Sequence, residues 1–181
     1  MNQEDIASIH YFYGMDEIVN RVKESGLISI DLASYKPTEE IVEVDIATQL
    51  WQGLVLKEKD FRAWIKEHDW SLYATKAVYV HCSVDAIVPT WAYMLVGSKL
   101  QESGAKYVIG DRTDLEKQLI QANILAEDIS DYKDGRIIIK GCSDISCPEF
   151  AMVELVRHLQ PISKSIMYGE PCSTVPVFKR K

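Results

Sequence analysis

AVYVHCSVDAIVPTWAYMLVGSKLQESGAKYVIG, residues 77–110, contains a complete strand, helix and strand in succession. Its first six residues are apolar and β-rich, which suits a buried strand over 77–82. Pro89 then opens a helical stretch over 89–100, and the apolar residues return as a strand over 105–110. The alternation continues toward the C-terminus. Residues 114–122 read as a helix, Asp134-Gly135 as a turn, 136–140 as a strand, 148–159 as a helix and 164–168 as a last strand. Strands separated by helices at this spacing predict an α/β fold: a layered, mainly parallel or mixed sheet with flanking helices.

Working back toward the N-terminus, residues 58–68 place Phe61, Ala63, Trp64 and Ile65 among charged neighbours at helical spacing. Residues 27–32 and 41–46 alternate apolar and polar, as half-buried strands do. The two could form a hairpin or extend the sheet in antiparallel sense. Ile18, Val19 and Val22 predict a short amphipathic helix over 16–25. No linker rich in Pro, Gly or Ser interrupts the chain, so residues 1–181 are expected to form a single α/β domain.

The 181 residues carry 20 Lys and Arg against 27 Asp and Glu, a formal net charge of -7. This acidic balance argues against nucleic acid or an anionic membrane surface as partner. A basic leader and a long apolar run are both missing, which points to a cytoplasmic protein. In such a setting the four cysteines are expected as free thiols or metal ligands rather than a disulfide framework.

Three of the four cysteines precede serine: Cys82-Ser83, Cys142-Ser143 and Cys172-Ser173. Cys82 and Cys142 fall where predicted parallel strands end, and Cys172 follows the last predicted strand through Gly169-Glu170-Pro171. Ligands of open α/β sheets bind at the carboxyl ends of strands. Three thiols converging there, with Asp85 or Glu170 as an oxygen ligand, would suit zinc or iron. The competing reading is that cysteine simply packs as a small hydrophobe. The strand that ends at Cys82 and the helix behind it are echoed by 137–143 and the helix from Pro148. Convergence on one strand-loop-helix solution accounts for that echo more simply than duplication does.

Cys147 precedes Pro148 at a predicted helix start, where Ser146 and Glu149 fit a capping box. The helix dipole would favour its thiolate, so Cys147 is the candidate catalytic nucleophile if one cysteine works alone, with Cys172 as the other choice. A redox or transferase enzyme without metal is therefore the second reading. A third is a non-catalytic interaction module or homodimer, with Tyr11, Phe12, Tyr13, Trp51 and Trp70 at its surface and Trp64 and Trp91 in the core.

Other arrangements fail on their residues. His81-Cys82 lacks the arginine of a phosphatase loop, since Val88 stands seven residues after His81. His81 and Cys82 point to opposite faces of a strand, so they make poor co-ligands. His10, His68 and His158 fall in surface-like contexts. Phosphate-binding glycine motifs and a nucleophile-elbow serine do not occur.

The segments 53–62, 82–95, 140–143 and 165–176 together resemble an uncharacterised bacterial family, found mainly in Bacteroidetes and catalogued as domain of unknown function 2480. The resemblance spans nearly the whole chain. It implies no established activity. It tilts the cysteine reading toward metal, sulfur or iron-sulfur intermediates, with iron-sulfur assembly proteins as the partners it implies.

Overall fold

The computed structural model describes residues 26–141 and 145–181. The helix expected over 16–25, His10, Tyr11, Phe12, Tyr13 and the Cys142-Ser143 doublet lie outside them.

Among the described residues, seven strands form two sheets. One has the order β1 (Leu27–Asp31), β5 (Arg136–Lys140), β6 (Ser165–Glu170), β7 (Ser173–Lys179), and the other the order β2 (Ile41–Asp45), β3 (Ala77–His81), β4 (Lys106–Ile109). The helices are α1 (Glu58–Glu67), α2 (Thr90–Ser103), α3 (Arg112–Leu125) and α4 (Pro148–Leu159). The chain thus has the expected α/β layering.

The N-terminal strands correct one expectation. β1 pairs parallel with β5 and β2 parallel with β3, so they neither form a hairpin nor run antiparallel to their sheets. Instead the antiparallel strand is β7, which turns back on β6 and was not expected. Pro176 in β7 costs little, because a strand at the sheet edge can do without one ladder donor.

Three apolar clusters explain the layers. Val44, Val78 and Val80 meet Phe61 and Ile65 of α1 and Ala92, Val96 and Leu100 of α2. On the opposite face Ala77 packs against Leu115 and Leu119 of α3. Ile120 and Ile124, also on α3, join Ile30, Ile137, Ile139, Ile166 and Leu155 beside the other sheet. α3 is therefore buried against both sheets, which is why its pattern is apolar on more than one stripe. α2 stops at Gly104, whose left-handed φ of 80° lets its N–H reach the Gln101 and Leu100 carbonyls.

Two polar contacts hold this middle layer. Glu154 of α4 is buried, accepting from Gln121 of α3 at 3.0 Å and pairing with Arg157 at 2.8 Å. Removing one partner of a buried charge leaves it under-solvated. Gln121→Ala is accordingly expected to lower unfolding free energy by about 1–2 kcal/mol. Urea denaturation of the variant beside the parent checks this, and an unchanged midpoint would show that Gln121 does not matter to Glu154.

Glu127, just beyond α3, receives the phenols of Tyr35 and Tyr132. Burial pushes the Tyr35 phenol well up, and the Glu127 carboxylate adds to the shift. The same two causes push Tyr132 up to about 12. Both phenols should ionise late in an alkaline absorbance titration of the parent. In Glu127→Gln at least one is expected to ionise at lower pH, and superimposable curves would refute the contact.

Trp64, Trp70 and Trp91 lie around Phe61 in the α1–α2 layer. Trp70, which the sequence left open between a pocket or interface and the core, is buried, donating from Nε1 to the Ile65 carbonyl at 2.9 Å. Trp51 is half exposed, with the Lys57 ammonium 4.1 Å from its ring centre. His68 and His158 are not the surface groups expected. His68 is half-buried on Tyr73, with Nε2 3.0 Å from the phenol oxygen. The Nε2 atom of His158 is buried without a hydrogen-bond partner among the described residues.

Candidate functional site

β2 and β3 run parallel with Glu43 opposite Tyr79, Val44 opposite Val80 and Asp45 opposite His81. Since side chains alternate along a strand, the valines enter the α1–α2 core while Glu43, Asp45, Tyr79 and His81 share the other face. α3 packs on that face at Ile41, Ala77 and Tyr79. A polar group is left at the carboxyl ends of the two strands.

Asp45 organises it. Its Oδ1 accepts from the Ala47 N–H at 2.9 Å and the Ser83 N–H at 3.0 Å, and its Oδ2 accepts from the Ser83 hydroxyl at 2.6 Å. Burial draws the Asp45 pKa upward. The Ser83 hydroxyl, the two N–H groups and the nearby His81 outweigh that pull and hold it below the usual carboxylate range. Asp45 thereby caps the short 3-10 turn Ile46–Gln49 and also pins the loop that follows β3. Next to it, His81 Nε2 lies 2.6 Å from Glu43 Oε1, and the Tyr79 ring stands 5.5 Å from the imidazole.

Cys82 follows His81, the last residue of β3. Its thiol donates to the Val84 carbonyl at 3.4 Å and is half-buried. Tyr93, one turn into α2, has its phenol raised by burial first and then by the Cys82 and Asp45 charges. Asp85 is exposed in the same loop.

The other candidates are spread over the second sheet. Cys172 is exposed at the turn between β6 and β7, with Glu170 exposed at the end of β6. β5 and β6 are parallel neighbours, so Gly141 leaves the sheet at the same edge as that turn. Among the described residues, no three His, Cys, Asp or Glu side chains come together as a metal-holding group. Cys82 and Cys172 belong to different sheets.

Cys147 is the N-cap residue of α4, and no side chain caps that helix, so the expected Ser146 capping box is not formed. The α3 helix has one instead, between Asp111 and Asp114. Cys147 is buried with Leu155 and Ile145 in the core. Exposure orders thiol labelling accordingly: Cys172 fastest, then Cys82, and Cys147 slowest. Mass spectrometry of timed alkylation digests measures this order, and early modification of Cys147 would contradict it.

Sequence reading passed over Asp45, yet a signal was present. Asp31-Leu32-Ala33-Ser34 and Asp45-Ile46-Ala47-Thr48 repeat one pattern. In both copies the aspartate ends a strand, accepts from the alanine N–H two residues on, and caps a four-residue 3-10 turn. Each also sits opposite the last residue of a parallel strand that leads into a Cys-Ser doublet: Asp31 opposite Lys140, Asp45 opposite His81. The echo between the two Cys-Ser strands thus extends to their partner strands, which favours an internal repeat over convergence. Gly141 has φ of 83°, and a Cβ there would fall 2.7 Å from Asp31 Oδ1, so its backbone passes close to that carboxylate.

No helix among the described residues is long and apolar enough to cross a membrane. Neither the curated proteins nor the solved structures contain a significant match to the chain. A family model does match, over residues 16–180, and the chain therefore belongs to the family described as Protein of unknown function (DUF2480).

Proposed function

We propose that the protein binds a thiolate-favouring metal, zinc or iron, or handles sulfur as an iron-sulfur intermediate, through its Cys-Ser loops. Cys82 and Cys172 are the described thiols of this reading, Cys142 the third, and Asp85 and Glu170 the oxygen donors. The observation that carries it is the setting of Cys82. Its half-buried thiol stands at the carboxyl end of a parallel strand, next to Ser83, whose N–H and hydroxyl bind Asp45, with Asp85 exposed in the same loop. Carboxylates around a thiol favour a bound cation, whereas a nucleophilic thiolate is stabilised by nearby positive charge. The ligands lie on two sheets, so binding in this reading draws the loops together.

Cobalt(II) titration under anaerobic conditions tests this, because thiolate-to-cobalt charge transfer reports sulfur ligation directly. Intense bands that reach a plateau near one equivalent are expected, reduced in both Cys82→Ala and Cys172→Ala. Bands that are absent, or unchanged in both variants, would refute the reading. The alternative of a metal-free redox or transferase enzyme loses weight at Cys147, whose burial keeps its sulfur from substrate, and rests on the exposed Cys172.

A further inference from the structure

A cleft of about 510 Å³ opens where the segment before β2, the start of α3 and the approach to α4 meet. It is lined by Lys36, Pro37 and Glu39 before β2, Ile41 at its start, Arg112 and Glu116 in the first turns of α3, and Ile145 and Ser146 ahead of α4. We propose that it binds a small anion presenting phosphate or carboxylate oxygens.

The charges at the walls favour an anion. Both carboxylates are already engaged by cations. Glu39 is paired with Lys106, and Glu116 accepts from Arg112 Nε at 2.9 Å. The Lys106 ammonium hydrogen-bonded to Glu39 holds its carboxyl below the usual carboxylate range, against the smaller upward pull of burial. Neither acid therefore has a charge to spare for a further cation. The donors are in surplus. Arg112 spends only its Nε on Glu116, leaving the terminal nitrogens of its guanidinium fork. Lys36 has no carboxylate partner among the described residues, and Ser146 adds a hydroxyl. Guanidinium and ammonium groups together suit a planar carboxylate or a phosphate. Pro37, Ile41 and Ile145 supply an apolar wall, so the anion can carry a short carbon skeleton. The volume is in the range of small-molecule sites.

The acidic chain makes this cluster of donors distinctive: at a net charge of -7, an anion is repelled from most of the surface.

The test is a titration of the intact ¹⁵N-labelled protein followed through its backbone amides, with inorganic phosphate in one arm, succinate in a second and putrescine in a third. Saturating shifts confined to residues 36–41, 112–116 and 145–146 are expected with phosphate, succinate or both, and the stronger arm identifies the oxyanion. Lys36→Gln and Arg112→Gln, each shown to be folded by circular dichroism, should weaken that binding at least fivefold. Lys36 is exposed, so its variant tests the site even if Arg112→Gln disturbs α3. Three results would overturn the proposal: no saturable shift with either anion, shifts unaltered in the Lys36→Gln variant, or putrescine binding there in preference to both anions.

Discussion

Phe61→Ala is expected to lower the unfolding free energy by about 3–5 kcal/mol, the usual cost of emptying a buried aromatic position. Phe61 is 1% exposed and is among the largest fully buried side chains. Its ring lies 5.2 Å from that of Trp64 and 5.8 Å edge-on from that of Trp91, so the loss includes aromatic contacts as well as buried area. The surrounding indoles cannot collapse into the gap easily, because Trp70 is tied to the Ile65 carbonyl. Tryptophan fluorescence during urea unfolding measures the effect. A loss below about 1 kcal/mol would mean that α1 is not a packed layer of the β2–β4 sheet.

The second large effect belongs to Asp45. Asp45→Ala removes an N-cap and a charge-assisted bond to Ser83, each worth about 1–2 kcal/mol, and a total near 2–3 kcal/mol is expected at neutral pH. The pH dependence has a definite sign. Asp45 has its pKa lowered in the folded protein, so its stabilisation is complete above the unfolded value, near 4, and is lost as pH falls through the folded value. The gap between parent and variant should therefore narrow below about pH 4. Ser83→Ala should reproduce part of the loss while keeping the turn cap at Ala47. A gap that stays constant from pH 7 to pH 3 would show that the carboxylate does not pin the β3 loop.

How much of this could be read from the chain alone depended on the range of the interaction. β5 was placed to the residue, because Ile137, Ile138 and Ile139 make a continuous apolar run of the kind a strand buried on both faces needs. α4 was equally legible, since Pro148 fixes its start by local backbone geometry. The division into two sheets was not. It depends on β1 choosing β5, over one hundred residues away, rather than β2 nearby, and local patterning is silent on strand order. β7 was hidden because Pro176 and its mixed Thr and Lys neighbours do not alternate as a buried strand does.

The candidate site followed the same rule. Cys82 stands out in the sequence because its doublet is visible there. Asp45 was missed because its partner, Ser83, is 38 residues away and arrives only through the register of β2 on β3. Cys147 misled in the opposite direction. Its helix-start position is as expected, but Ile145, Leu155 and their neighbours bury it, and that burial is a tertiary fact.

The most direct test of the proposed function is the metal content of protein purified without oxygen, determined by elemental analysis for the parent and for Cys82→Ala, Cys142→Ala and Cys172→Ala. The account predicts close to one equivalent of zinc or iron in the parent and a loss of most of it in each variant. Only trace metal in the parent after supply of both ions, or full metal retained in all three variants, would contradict it.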